Sequence, residues 1–430
     1  MIDAHASRSR VLLLGASGFI GSRLLDALVD AGYAVTCGIR NAHASSGCRA
    51  IAVDYTRDHD VKDWLPRLAG IDVVVNAVGI LRETPQASFD ALHVAAPVAL
   101  FRACERAGVR KIVQISALGA DEGAASRYHV TKKRADDALA ALSVPWVIVQ
   151  PSLVFGIGGI SAALFSRMAA MPLTPLPGRG EQQVQPVHVD DLTAAVLRLI
   201  ETDAFDRRRI ALVGPRPLRL REFLGTLRRA MGLGEPRFLD VPMTVVRAAA
   251  ALGEHMPSAL LDRESLGMLE RGNVAPADDV TALLGSPPRG VESFVEPPFA
   301  RALANEARLA WLLPLARTAV AFVWIVTGIV SLGVYPVEES YALLARVGLT
   351  GTAAAVALYG AALLDLAFGV GTLALRRRKW LYRAQIALIV GYMAIITLWL
   401  PEYWLHPYGP LTKNLPMLAL ILMLHEFEEP

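Results

Sequence analysis

Tyr128 and Lys132 stand four residues apart in Ser126–Leu142, a segment whose pattern reads as a helix. That spacing puts both side chains on one helical face. A phenol with an ordinary pKa of about 10 exchanges protons poorly at neutral pH. A neighbouring ammonium stabilises the phenolate and lowers that pKa, so the pair is suited to proton transfer. Ser116 directly follows Lys111–Ile115, which reads as a strand, and its hydroxyl could hydrogen-bond a substrate carbonyl oxygen. A second pattern, Gly15-x-x-Gly18-x-x-Gly21, follows the apolar run Val11–Leu14 and opens the helical segment Ile20–Ala31. In that context the first glycine permits a tight turn and the second lets the backbone approach a pyrophosphate. The third brings helix and strand together. The helix N-terminus then faces the anion.

These residues need a scaffold that brings strand ends together. Val11–Leu14, Ala34–Ile39, Ala50–Val53, Val73–Val75, Lys111–Ile115 and Trp146–Val149 read as strands. They alternate with the helical segments Ile20–Ala31, Phe89–Ala107 and Ser126–Leu142. The alternation predicts an α/β, Rossmann-type, doubly wound parallel sheet. Gly15, Ser17, Gly18, Phe19, Ile20 and Gly21 would then cradle a dinucleotide. Arg40, at the end of the second strand and 19 residues after Gly21, falls where such a fold contacts the adenosine ribose. An arginine there pairs with a 2′-phosphate, which favours NADP over NAD. Asp54 and Tyr55 follow the third strand, with Asp54 placed to bond the adenine amine. Asn76, Ala77, Val78 and Gly79 end the fourth and let the backbone pass close to the cofactor.

Residues of about 151–300 are punctuated by proline and glycine and form a small substrate lobe. Within it, Val241–Gly253 is apolar around most of its helix; it either packs in the core or lies against a membrane. His188 shapes the lobe, and Asp190 or Asp191 caps a helix over Leu192–Ile200. Gly285–Pro298 reads as a closing loop.

Beyond about residue 311 the chain turns apolar in four stretches: Thr318–Val334, Leu349–Leu375, Ile386–Leu400 and Leu411–Leu424. A spanning helix needs about 20 largely apolar residues. The fourth stretch is short and carries Lys413. The pattern predicts a C-terminal four-helix transmembrane bundle, with a division at 1–300 and 301–430. Arg376-Arg377-Arg378-Lys379 and Arg383 mark the second connection as cytoplasmic, because the two other connections carry a single arginine, Arg346. Both termini and the nucleotide domain then lie in the cytoplasm, on a multi-pass protein of the cell inner membrane. Asp365, inside a span, is a functional candidate. Pro401–Pro410, with Trp404 and His406, reads as an interfacial loop. The polar opening Met1–Arg10 reads without a leader.

Composition limits the alternatives. The 430 residues are 53% hydrophobic and carry a net charge of +3, which gives no footing for nucleic acid. Cys37, Cys48 and Cys104 have no metal-like spacing and read as reduced thiols; no metal site is expected.

The motifs resemble those of the short-chain dehydrogenase/reductase superfamily over about residues 10–300. The resemblance is closest to the atypical branch that includes the nucleotide-binding accessory subunit of respiratory complex I and NAD-dependent epimerase-like proteins. It rests on Gly15–Gly21, Asp54-Tyr55, Asn76–Gly79, Gln114–Gly119, Tyr128–Lys132, Gln150–Gly156 and Pro186–Asp191. It implies that Tyr128 is the acid/base, that Lys132 binds the nicotinamide ribose and tunes it, and that Ser116 positions substrate. Pro151 and Val154 would border the nicotinamide. Two positions depart from the family: His93 stands where a helix asparagine often holds a water, and Gln150 where arginine is common. Residues of about 311–426 resemble the DoxX-like membrane family through the four spans, Tyr335-Pro336, Asp365 and Lys413–Pro416. That resemblance implies quinone-linked chemistry and a lipophilic substrate.

The resulting expectation is a membrane-bound NAD(P)-dependent oxidoreductase. It acts on a carbonyl or quinone-like substrate at the cytosolic membrane face, with the lipid bilayer as a partner. Two alternatives stay open. One is a non-catalytic NADPH-binding assembly or sensor subunit docked on a membrane protein. The other is an epimerase- or dehydratase-like enzyme of nucleotide or lipid-linked sugars.

Overall fold

The computed structural model describes residues 9–40, 48–254 and 262–428. Most of the polar opening Met1–Arg10 lies outside them. Two compact units, Met1–Ala307 and Arg308–Pro430, make up the chain.

In the first unit the apolar runs become β1 (Arg10–Leu14), β2 (Ala34–Ile39), β3 (Arg49–Ala52), β4 (Val73–Asn76), β5 (Lys111–Ile115) and β6 (Trp146–Pro151). Val73, Val74 and Val75 are fully buried, as strands covered on both faces must be. The crossovers are α1 (Phe19–Asp30), α2 (Val61–Trp64), α3 (Ala96–Ala107) and α4 (Arg127–Ala140). A π-helical turn, Asp90–Ala95, leads into α3.

The remaining strands are short: β7 (Val154–Phe155), β8 (Thr174–Pro177), β9 (Gln183–Val184), β10 (Val187–His188), β11 (Arg208–Leu212), β12 (Leu218–Arg219) and β13 (Phe238–Val241). Between and after them run α5 (Ile160–Ala170), α6 (Val189–Glu201), α7 (Leu220–Ala230), α8 (Met243–Gly253), α9 (Arg263–Arg271) and α10 (Asp278–Leu284).

The main sheet has seven parallel strands in the order β11-β6-β5-β4-β1-β2-β3. Chain direction across the sheet reverses between β1 and β4, so a crevice opens at their carboxyl ends.

The lobe is less separate than its sequence suggests. β11 is the seventh strand, and Leu192, Val196 and Leu199 of α6 share one buried cluster with β1, as do Val280 and Leu283 of α10. Residues 187–213 and 278–284 therefore complete the nucleotide domain, because β6 would otherwise be an open edge. The helix over Asp190-Asp191 begins earlier than expected, at Val189, with His188 as its cap. His188 Nδ1 accepts from the Asp190 N–H at 3.3 Å, and both aspartates instead pair with Arg289. Nor is Gly285–Pro298 all loop, since it holds a short turn, Val291–Ser293.

Three free thiols were not the outcome. Cys37 and Cys48 form a disulfide with Cα atoms 6.3 Å apart, and only Cys104 is a buried free thiol among the described residues. Pairing of β2 with β3 sets Cys37 opposite Ala50, which brings Cys48 alongside. Spacing along the chain carries no trace of that register.

The second unit takes in most of α11 (Pro297–Ile329), then α12 (Val337–Arg346), α13 (Gly351–Ala374), α14 (Lys379–Trp399) and α15 (Asn414–Phe427). Three helices are long and apolar enough to cross a membrane; α15 has 14 residues. Pro314 lies inside α11. A Cβ on Gly369 of α13 would sit 2.5 Å from Ile325 and 3.0 Å from the Ala321 carbonyl, so α11 and α13 meet backbone to backbone. Val320, Trp324, Phe368, Tyr382 and Leu424 fill the interior, while Phe322, Val356 and Leu398 face outward. At one end Glu428 accepts from Arg317 and Arg378, both at 2.9 Å, and at the other Arg346 pairs with Glu402. Asp365 is buried, and its Oδ1 has no partner among the described residues.

Candidate active site

The crevice is built first by backbone. Leu14 pairs with Asn76, and the Ala77 N–H donates to the Leu14 carbonyl at 3.0 Å. Gly15 turns with φ +82°, and a Cβ there would lie 2.9 Å from the Ala77 carbonyl. Gly18 caps α1 with no side-chain acceptor and no acid in the first turn. The first-turn N–H groups are thus left to an anion. Ser17 and Gly18 are exposed, and Ile20 packs beneath them on the core. Phe19 reaches across to Gly156 and Gly159. This cradle fits the pyrophosphate of a dinucleotide.

Arg40 and Asp54 lie at the same sheet edge. Arg40 is exposed and within electrostatic reach of Asp54. The Thr56 hydroxyl, bonded to the Asp54 carboxylate at 2.7 Å, holds that group below the usual range, with further help from the Thr56 N–H, Arg57 and Arg40. Tyr55 and Asn76 point inward. The Tyr55 hydroxyl donates to Asn76 Oδ1 at 2.8 Å, and Asn76 Nδ2 donates to Gln114 Oε1 at 2.7 Å. Their side chains brace the turn Ala77–Gly79 from below and leave its backbone to the crevice. Pro151 and Val154 follow at the carboxyl end of β6; Pro151 is buried and Val154 half-buried.

Across the crevice, Lys132 Nζ donates to the carbonyls of Ile115 (3.1 Å) and Val78 (3.4 Å), tying the ends of β5 and β4. A Cβ on Gly79 would sit 3.0 Å from this ammonium. Tyr128 lies one turn earlier, edge-on to His93 at 5.5 Å. His93, in the π-helical turn, stacks on Phe89 at 5.0 Å. Its Nε2 accepts from the Ile80 N–H at 3.1 Å, which leaves the ring proton on Nδ1, 3.1 Å from Thr131 Oγ1. Burial, then the Lys132 charge, pushes His93 down to about 2, so the imidazole is neutral.

One expectation changes here, that of the phenol's acidity. Ser116 Oγ donates to Asp136 Oδ2 at 2.5 Å in the buried interior. Tyr128 is not made more acidic by Lys132. Burial, and then the charge of Asp136, pushes the phenol up to about 12. The Lys132 ammonium is spent on two carbonyls, and burial brings it down to about 8 against the opposing pull of Asp136. Asp136 itself is raised to about 6 by burial, opposed by the Ser116 bond and Lys132. Tyr128, Lys132 and Asp136 recur every four residues on α4, a spacing that could have revealed the carboxylate. No local signal announces Glu264 of α9, whose Oε1 accepts from the Tyr128 N–H at 3.0 Å. Nor does one announce Arg271, bonded to the Gly119 carbonyl at 2.9 Å and to Asp121.

Residues 15–155 match the NAD(P)H-binding family model, and residues 321–422 match the DoxX-like family model. The chain thus joins a Rossmann-type domain that matches the NAD(P)H-binding model to a segment that matches the DoxX-like model, in a region with helices long and apolar enough to cross a membrane. Among curated relatives, it is 27% identical over 252 residues to a ceramide reductase of Caulobacter vibrioides, covering 58% of this chain and 78% of that protein. It is 26% identical over 255 residues to the mitochondrial NADH dehydrogenase (ubiquinone) 1 alpha subcomplex subunit 9 of Arabidopsis thaliana. That match covers 57% of this chain and 63% of the relative. A nucleoside-diphosphate-sugar epimerase from Staphylococcus aureus superposes with a TM-score of 0.55 at 16% identity, over 66% of this chain and 99% of that one. At that identity the likeness is one of fold.

Proposed function

We propose that this chain is a membrane-bound NADP-dependent oxidoreductase that reduces a carbonyl or quinone-like group on a lipophilic substrate. The observation that carries the reading is geometric: Tyr128 lies one turn before Lys132 on α4, and Lys132 is tied to the carboxyl ends of β4 and β5, beside the glycine turns of the crevice. When bound, the nicotinamide supplies the hydride. Tyr128 Oη–H donates its proton to the oxygen that gains negative charge. Lys132 stabilises the tyrosinate left behind, while Asp136 holds Ser116 back from the site. Gly15–Gly21 and Ala77–Gly79 bind the cofactor through backbone, Pro151 and Val154 border the nicotinamide, and Arg40 selects the 2′-phosphate. Likeness to a ceramide reductase supports a lipid carbonyl.

In this reading residues 1–300 form the catalytic domain and 301–430 a four-crossing anchor in the inner membrane. The cluster of Arg317, Arg378 and Glu428 supports an even number of crossings, and the arginine-rich connection supports a cytoplasmic catalytic domain. The commitment of Ser116 to Asp136 favours one rival, an NADPH-holding subunit of a membrane complex.

The test is NADPH oxidation by the purified full chain, offered long-chain keto-lipids and quinones, with Tyr128→Phe beside it. Turnover lowered about 10²–10⁴-fold in the variant is the expected loss of a general acid. Equal turnover in both proteins would sink the assignment of Tyr128. Tight NADPH binding without turnover in either would establish the holding role.

A further inference from the structure

Only part of α8 is used by the fold. Val246 and Ala250 pack with Leu266 of α9 in a small cluster. Val245, Ala248, Ala249 and Leu252, spaced i, i+3, i+4 and i+7, form a second stripe that stands exposed. Val245 is 55% and Leu252 67% accessible. β13 leads through Pro242 directly into α8, and the β8–β13 ribbon carries exposed apolar side chains of its own. Leu239 pairs with Pro175, and both are exposed. Leu173 and Arg237, which directly precede the two strands, are also exposed. Arg179 follows the turn at Gly178, whose N–H donates to the Val241 carbonyl. Among the described residues neither Arg179 nor Arg237 makes an ion pair.

We propose that this face of the substrate lobe lies in the headgroup region of an anionic bilayer, as a membrane contact separate from the spanning helices. Exposed apolar side chains grouped at helical spacing, and not scattered singly, are the pattern of an interaction site. Unpaired arginines beside it match the charge of acidic headgroups, and an apolar helical stripe with cations is the chemistry of interfacial helices. The occupant is argued from the chain itself: the same chain carries helices long and apolar enough to cross a membrane, so lipid is the apolar partner that its own composition supplies. The inference does not depend on the catalytic reading.

It is tested on the full chain in lipid nanodiscs, with a bimane label at Val245→Cys, Leu252→Cys or Leu239→Cys and a control at the exposed Glu122→Cys. Cys104 is buried and Cys37–Cys48 is bonded, so labelling falls on the introduced thiol. An interfacial helix sits about 5–10 Å into the headgroup/acyl boundary, within reach of bromines on the acyl chains, which quench a bound fluorophore. That quenching is expected at the three sites and not at the control. Replacing phosphatidylglycerol by phosphatidylcholine, or Arg179 and Arg237 by glutamate, is expected to weaken it. Labels that ignore brominated lipid yet are quenched by aqueous iodide would overturn the proposal. So would labels shielded from both, since a second copy or another protein would then cover the face.

Discussion

Burial sets the behaviour of individual side chains here more than proximity does. Tyr128 and Lys132 share a helical face, yet each is driven toward its neutral form by desolvation. Lys132 is charged only below about 8, so turnover should fall as pH rises through that value. A rate–pH profile with no loss there would mean that its charge is not used. Asp136 offers a separate check on stability. Its pKa is raised above the unfolded value, so the stability it contributes is complete below about 3.8 and is lost as pH rises through about 6. Asp136→Asn keeps an acceptor for Ser116 and removes the titration. Its unfolding midpoint should therefore gain on the wild type as pH rises from about 3.8 through about 6. A constant difference across that range would place the raised pKa elsewhere.

At the scale of elements, the crevice depends on how closely β1 and β4 approach. Gly15→Ala combines a left-handed backbone, costing about 1–2 kcal/mol, with a collision against the Ala77 carbonyl. The expected result is a lower unfolding midpoint together with weakened NADPH binding, read by fluorescence titration. Unchanged binding would remove the cradle from the site. The elements themselves were legible because parallel strands are continuously apolar and crossover helices alternate with them. What escaped was the π-helical turn at Asp90–Ala95, which seats His93 beside Tyr128. The arrival of α9 over the start of α4 escaped too. Both come from packing between segments far apart in the chain, which periodicity does not record.

For the whole molecule, the prediction is one of sidedness. If the Arg317–Arg378–Glu428 end faces the cytoplasm, then cysteines introduced at Arg376 and near Glu428 are blocked by an impermeant maleimide only after the inner membrane is opened. A cysteine near Leu405 is blocked beforehand. Blocking of Arg376→Cys in intact spheroplasts would invert the assignment. Two ion-pair groups, one at each end of the unit, bring together residues 50 or more positions apart and support this count of crossings.

The amino-acid order alone determined the two-part organisation, the Rossmann-type domain, the glycine turn and the Tyr128–Lys132 face. Each is written in local periodicity, and local periodicity survives without knowledge of the fold. It did not determine the Cys37–Cys48 link, the recruitment of β11, α6 and α10 into the nucleotide domain, the turning of Ser116 toward Asp136, or which face of α8 stays bare. Those depend on register and on which surfaces become buried together. Burial, in turn, makes the Tyr128 phenol a weaker acid than its spacing from Lys132 suggests.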